Sequence, residues 1–131
     1  MLKITLINWQ NLAIMECSLF DLLRKEESIC KEFYDYCFGN GIIIKDLVGQ
    51  LDLTKIIPFI LKHLFRDYEI TSKEKSNING YPDFELSKGE DKLYVELKNN
   101  DDSIRKSQIE WIIRNKDKNR YILWLEKLKY E

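Results

Sequence analysis

Apolar and polar residues alternate most regularly over residues 93–98, which read Leu-Tyr-Val-Glu-Leu-Lys. This period of two predicts a β-strand, in which side chains two positions apart share a face. Glu96 and Lys98 are therefore expected to stand side by side with Tyr94 on one face, and the three aliphatic residues on the other. Charged residues also alternate along exposed strands, so a solvent-facing strand explains the pattern equally well at this point.

A second strand is predicted just before the first, near residues 82–87. The polar stretch 87–91, Ser-Lys-Gly-Glu-Asp, contains one glycine and suits a hairpin turn. Such a hairpin brings Asp83 near Glu96, with Glu85 on the same face as Asp83 but expected in solvent. Two carboxylates and a lysine on one sheet face suit a hard divalent cation beside a phosphate. The alternative is that Asp83 only caps a turn after Pro82.

The rest of the chain completes a predicted α/β fold with a mixed sheet. From residue 52 onward the elements follow the order helix, strand, strand, strand, helix, strand. We expect one domain over residues 1–131, in which residues 1–50 form a mainly helical extension packed on a core at residues 52–127. The other predicted strands are 2–7, 68–71 and 120–126; the predicted helices are 12–37 with a break and a Ser28 cap, 52–66 capped by Asp52 or Thr54, and 102–115 capped by Asp102 or Ser103; residues 46–50 are predicted as a turn or short helix.

The composition is that of a soluble globular protein, with 44% apolar and 33% charged residues among 131. No apolar run has membrane-spanning length and no secretory signal is visible, so we expect an intracellular protein without a membrane partner. The net charge of −1 excludes a global basic field for nucleic acid. Residues 103–131 nevertheless hold eight Lys or Arg against four acids, which suits phosphate contacts and solvated surface equally.

Three cysteines and a single histidine limit the metal and disulfide chemistry. An odd number of cysteines argues against a disulfide framework, and the absence of a CxxC pair makes a zinc site improbable. We expect Cys17, Cys30 and Cys37 to be buried free thiols. His63 lies on a largely apolar predicted helix and is expected to be structural.

A longer pattern surrounds the two predicted strands. It consists of Gly80-Tyr81-Pro82-Asp83, then Glu96-Leu97-Lys98, then Ser107-Gln108 and Trp111 on the following helix. This pattern resembles the PD-(D/E)XK nuclease signature and, within that superfamily, its VRR-NUC (virus-type replication-repair nuclease) branch. The resemblance covers residues 80–111, and the order of elements extends it over residues 52–127.

The resemblance implies a restriction-endonuclease-like core and a metal-dependent DNA endonuclease. Small members of this branch are similar to Holliday-junction resolvases, which makes branched DNA the expected substrate and a homodimer the expected assembly. Phosphodiester hydrolysis requires neutralised charge and an activated water. Asp83, Glu96 and the Leu97 carbonyl are the expected ligands of Mg²⁺ or Mn²⁺. Lys98 is expected to meet the phosphate or the attacking water, supported by Gln108.

One feature of the family pattern is missing, because the predicted helix 52–66 contains no Glu where the family usually has a further metal ligand. Two other functions stay open. One is a non-catalytic nucleic-acid-binding module that retains the nuclease fold, and the other is a protein-interaction domain that uses the acidic stretch 15–35. Trp111 is expected to pack in the core and not to stack on a base. The candidates for the missing acid are Glu16, Glu26, Glu27, Glu32 and Asp52.

Overall fold

The computed structural model describes residues 2–42, 53–73, 79–99 and 102–127. These residues form a six-stranded mixed sheet flanked by helices, in the strand order β2-β1-β6-β5-β4-β3. The pair β5–β6 is parallel, and the other four pairings are antiparallel. The strands are β1 (Leu2–Asn8), β2 (Ile14–Ser18), β3 (Glu69–Ser72), β4 (Phe84–Lys88), β5 (Asp91–Asn99) and β6 (Asn119–Lys127). The helices are α1 (Leu19–Leu23), α2 (Glu27–Gly39), α3 (Ile57–Leu64, after a 3-10 turn at Leu53–Ile56) and α4 (Lys106–Arg114).

The predicted hairpin is confirmed as β4 and β5. Lys88 pairs with Asp91 across a tight turn, where Gly89 adopts a φ of 61° that favours glycine. The pairing of Phe84 with Val95 fixes the register. This register puts Asp83, which directly precedes β4, at the level of Glu96.

Helix α4 makes the crossover that the parallel pair β5–β6 requires. The order of elements predicted from residue 52 onward and the mixed sheet are both confirmed. The helix begins later than predicted, after Arg105. Asp102 does not cap it, because its Oδ2 accepts a hydrogen bond from the Asn99 N–H at 2.8 Å.

The two faces of the sheet differ in what they bury. One face packs against α1, α2 and α3 in the main core, to which β5 contributes Leu93 and Val95. Glu96 and Lys98 lie on the opposite face under α4 and are only 4% and 6% exposed. The predicted alternation along β5 is therefore confirmed. The solvent-facing alternative is wrong, because α4 covers the charged pair.

The N-terminal prediction is wrong in its first part. Residues 14–18 are not helical but form β2, which pairs with β1, and β1 pairs in turn with β6 inside the sheet. The helix begins only at Leu19 because Ser18 caps it: the Ser18 hydroxyl accepts from the Asp21 N–H, and the Asp21 carboxylate accepts from the Ser18 N–H, both at 3.0 Å. The helical residues are thus confined to α1 and α2 in this region, and β1 is an interior strand.

Smaller expectations had mixed outcomes. Glu26, not Ser28, is the N-cap of α2. Pro58 lies in the first turn of α3, as its missing N–H favours. Cys37 is buried, but Cys30 is exposed. The predicted turn at residues 46–50 and the Asp52 cap lie outside the described residues. Among the helices that the structure describes, none has both the length and the hydropathy to cross a membrane.

Candidate active site

Asp83 and Leu97 meet at the edge of β5 beyond its pairing with β4. The Leu97 N–H donates to Asp83 Oδ2 at 2.9 Å. The N–H and C=O of one strand residue point to the same side of the strand, so the Leu97 carbonyl lies on the side of β5 from which Asp83 accepts this hydrogen bond. The structure therefore brings together two of the three predicted metal ligands, and the third, Glu96, directly precedes Leu97.

Glu96 is held by two donors from different elements. Gln108 Nε2 on α4 donates to Glu96 Oε1 at 2.6 Å, and the Arg120 guanidinium on β6 donates to Glu96 Oε2 at 2.5 Å. Each oxygen thus has a protein partner, which fixes the orientation of the carboxylate. A buried carboxylate needs such partners, since an unpaired charge in the interior is strongly unfavourable.

Gln108 connects the acid to the lysine. Its Oε1 accepts from Lys98 Nζ at 2.9 Å and from the Arg105 N–H at 2.8 Å, while its amide nitrogen faces Glu96. Two donors on one side and an acceptor on the other define which way the amide points. The expectation that Gln108 supports the Lys98 position agrees with this geometry.

Arg120 is the residue of the site that the sequence did not reveal. It is 1% exposed, and its guanidinium also donates to the Gly80 carbonyl at 3.2 Å and to the Gln108 carbonyl at 3.4 Å. The same group lies 4.7 Å from the centre of the Trp111 ring. The available signal was a charged residue directly before the apolar run of residues 121–125. Its partner 24 positions earlier could not be inferred without the strand register.

Gly80 allows the chain before Asp83 to contact the start of α4. Its φ is 78°, and a Cβ placed there would lie 2.1 Å from the Ser107 carbonyl oxygen and 3.0 Å from the Gln108 nitrogen. No side chain fits in that space. The glycine of the sequence pattern thus has a packing function, because it lets two segments of the site approach closely.

Burial changes the acid–base behaviour of the ion pair. Burial and the neighbouring Asp83 charge raise the pKa of Glu96 to about 7, against the opposing effect of Arg120. Burial lowers the pKa of Arg120, and Glu96 opposes that shift. Because the charge of Asp83 raises the pKa of Glu96, the two carboxylates are close enough to repel each other. A bound cation would relieve this repulsion.

The residues fit a hard divalent cation in the type of donor atom. Mg²⁺ and Mn²⁺ prefer oxygen ligands, which Asp83, Glu96 and the Leu97 carbonyl supply. Over the described residues, however, no group of three or more His, Cys, Asp or Glu side chains is arranged to hold a metal. Within the described parts of the chain, the acidic ligands are therefore fewer than the resemblance to the VRR-NUC pattern implies.

The candidates for a third acid lie elsewhere. Helix α2 packs on the core face of the sheet, opposite Glu96, so Glu26, Glu27 and Glu32 are on the wrong side. Glu32 Oε2 lies 3.1 Å from His63 Nε2, and Glu26 lies 3.8 Å from an Arg66 nitrogen. Glu16 is on β2, three strands from β5 and roughly 14 Å away at ordinary strand spacing. Asp52 lies outside the described residues.

Two further residues that the sequence analysis considered, Trp111 and Glu85, contact neighbouring side chains. Trp111 is 6% exposed and its ring packs on Tyr81 and Tyr94, at centroid distances of 5.9 and 5.3 Å, so its predicted packing role is confirmed. The expectation that Glu85 lies in solvent is wrong: its side chain is 17% exposed, pairs with Lys92 at 3.3 Å and accepts from the Tyr81 hydroxyl at 3.3 Å.

Comparisons of the chain with protein-family models, with curated proteins and with solved structures found no match.

Proposed function

We propose that this protein is a metal-dependent DNA endonuclease. The observation that carries the proposal is the arrangement of a buried carboxylate and a buried ammonium on one strand, Glu96 and Lys98, joined by the same Gln108 amide and flanked by Asp83. Burial of two such groups under a helix has a desolvation cost that a purely structural role does not require. Charged groups fixed in this way are typical of catalytic sites.

Each residue has a role in phosphodiester hydrolysis. A divalent ion at this edge would polarise the phosphate and lower the pKa of a water. Asp83 and Glu96 would supply its carboxylate oxygens, and Arg120 and Gln108 keep Glu96 in one orientation. Lys98 presents its ammonium next to these oxygens, where it can neutralise the negative charge that develops on the phosphate as water attacks and the leaving oxygen departs. Gln108 holds that ammonium in place.

We further propose branched DNA as the substrate and a homodimer as the active assembly. Both follow from the resemblance of residues 80–111 to the VRR-NUC pattern. A two-fold dimer would present two sites to two strands of a junction and would double the basic surface of residues 103–127. Because the net charge of each chain is −1, DNA binding would have to rely on this local basic surface.

The test is cleavage of labelled four-way junction, flap and linear duplex DNA with Mg²⁺ or Mn²⁺. We expect cleavage by the wild-type protein, and a loss of at least about 100-fold for Lys98→Met and Asp83→Asn, the size typical of removing one charge-stabilising group. Lys31→Met is the matched control, because Lys31 is exposed on α2 across the sheet. An inactive wild type, or equal cleavage by Lys98→Met and Lys31→Met, would refute the assignment.

A second function is supported by one observation. Both Glu96 oxygens already have protein donors, and no third acid joins them among the described residues. A nucleic-acid-binding module that retains the fold without catalysis has this property. Calorimetric titration with Mn²⁺ separates the two functions: binding that Glu96→Gln weakens supports the nuclease, whereas no binding, or binding that Glu96→Gln leaves unchanged, supports the module.

A further inference from the structure

A separate pocket of about 390 Å³ includes Arg120 and Trp111 in its lining, whereas Glu96 is not among the residues that line it. It is an open pocket between the turn after β1, the C-terminal end of α4 and the start of β6. Its volume is within the range of about 300–1,000 Å³ that is usual for small-molecule sites. The described residues that line it are Trp9, Gln10, Trp111, Ile112, Ile113, Asn115, Lys116, Lys118 and Arg120.

Hydrogen bonds hold the walls of this pocket together. Gln10 Nε2 donates to the carbonyls of Lys116 and Lys118, at 3.0 and 2.7 Å. The Trp9 N–H donates to the Arg120 carbonyl at 2.9 Å. The turn after β1 is thereby joined to the segment between α4 and β6. The pocket is consequently preformed, and a ligand would have little ordering cost to overcome.

The lining combines aromatic surface with positive charge. Trp9 is partly exposed, and the two isoleucines of α4 add apolar surface. Lys118 Nζ lies 5.9 Å from the Trp111 ring centroid, and Lys116 is exposed beside it. None of the described lining residues is acidic. A flat apolar surface next to ammonium groups suits a ligand with an aromatic ring and a negative charge.

We propose that this pocket binds one unpaired nucleotide of DNA, with its base against Trp9 and its phosphate at Lys116 and Lys118. Taking DNA as the ligand rests on the proposed nuclease function. Bases in duplex DNA have no free face to stack on a side chain, so the pocket selects single-stranded segments. Arg120 contacts both the pocket and Glu96, and the selected nucleotide would therefore lie close to the bond that is cut. The preferred substrate is then DNA with unpaired nucleotides, such as a flap.

Binding in EDTA tests this proposal without any cleavage. The probes are a fluorescein-labelled dT octamer, an octamer of the same length with abasic sites at every position, and a duplex of the same length, each titrated and followed by anisotropy. Stacking of one base predicts that the dT octamer binds roughly 5- to 150-fold more tightly than the abasic octamer. The duplex should bind more weakly than the dT octamer. Equal binding of the dT and abasic octamers by the wild-type protein, or tighter binding of the duplex, would overturn the proposal.

Variants of Trp9 and Lys118 test whether this pocket causes the difference in affinity between the dT and abasic octamers. Trp9→Ala should abolish the preference for bases over abasic sites, Trp9→Phe should retain part of it, and Lys118→Gln should weaken both octamers by a similar factor. The matched controls are Tyr34→Ala and Lys31→Gln, an exposed aromatic and an exposed lysine on α2, which should bind like the wild type. A base preference that survives Trp9→Ala would refute the pocket. The octamer comparison on the wild type decides the proposal even if Trp9→Ala fails to fold.

The two proposals fail in different ways. A protein that prefers the dT octamer in EDTA but cuts no DNA with Mn²⁺ refutes the nuclease function and retains the pocket. A protein that cuts DNA but binds the dT and abasic octamers equally refutes only the pocket.

Discussion

Gly80→Ala is the substitution whose effect the structure defines most sharply. The added methyl would lie 2.1 Å from the Ser107 carbonyl oxygen and 2.5 Å from the Ser107 carbonyl carbon, both of which are backbone atoms. Backbone at the start of a helix cannot rotate out of the way as a flexible side chain does. The alanine must therefore push α4 away from the segment before Asp83, and Gln108 moves with α4.

Two costs add in this variant. The φ of 78° at Gly80 disfavours any residue with a Cβ by about 1–2 kcal/mol. Inserting a methyl into a filled space costs a further 1–3 kcal/mol or so. The expected loss in the free energy of unfolding is therefore about 2–5 kcal/mol, a large share of the roughly 5–15 kcal/mol by which domains are stable.

Gly89→Ala is the matched control. Gly89 also has a positive φ, 61°, but nothing lies within 4 Å of a Cβ placed there. It should lose only the conformational cost of about 1–2 kcal/mol. The assay is urea unfolding followed by circular dichroism, with the m-value checked for two-state behaviour. If the two variants lose the same free energy, the close contact of Gly80 with α4 is not a source of stability and our description of this contact is wrong.

Three further predictions follow from the buried ion pair and the thiols. Arg120→Met should lose about 3–5 kcal/mol in urea unfolding, because the buried Glu96 carboxylate loses the arginine that neutralises it and keeps only the Gln108 amide as a hydrogen-bond donor. The double variant Arg120→Met/Glu96→Gln should regain much of this loss, and a double variant as unstable as the single one would contradict the prediction. The pKa of Glu96 is about 7 in the folded protein against an ordinary 4.5, so protonation of Glu96 stabilises the folded state. This contribution to the free energy of unfolding is fully present below pH 4.5 and is lost as the pH rises to 7. Urea titrations at pH 5 and pH 8 should show this fall, about 3 kcal/mol in size, in the wild type but not in Glu96→Gln, and parallel profiles would disprove it. Ellman's reagent should react rapidly with exposed Cys30 in the native protein and slowly with Cys37, which is 1% exposed, and Cys30→Ser should remove the rapid phase.

The sequence predicted the second half of the fold well because its signals are local. The alternation along β5, the glycine turn at Gly89 and the helical periodicity of α4 each act over a few residues. The strand β2 was missed because it lies at the sheet edge, where Ile14 and Met15 are exposed and the apolar positions do not alternate with burial. As a result, the helical spacing that follows Leu19 predicted a helix that also covered residues 12–18, although Ser18 caps the helix and residues 14–18 form β2.

The residues of the candidate site also differ in whether a local sequence pattern predicts them. Asp83, Glu96, Lys98 and Gln108 came from a pattern along the chain, and the structure brings them into one cluster. Arg120 depends on the register between β5 and β6, which aligns Tyr94 with Arg120 and which no local pattern encodes. The sequence therefore provides the residues of the site, and only the sheet pairing reveals what neutralises Glu96.

The position of β6 in the sheet has a consequence for the order in which the protein folds during synthesis. Among the six strands that the structure describes, β6 alone joins the pair β1–β2 to the group β3–β4–β5. Until the ribosome has released residues 119–127, the two parts of the sheet have no common strand, and each exposes an edge that is open to pairing with other chains. The Glu96 carboxylate also has no arginine partner in that interval. We therefore expect the complete sheet and the charge balance of the candidate site to form together, when β6 pairs with β1 and β5.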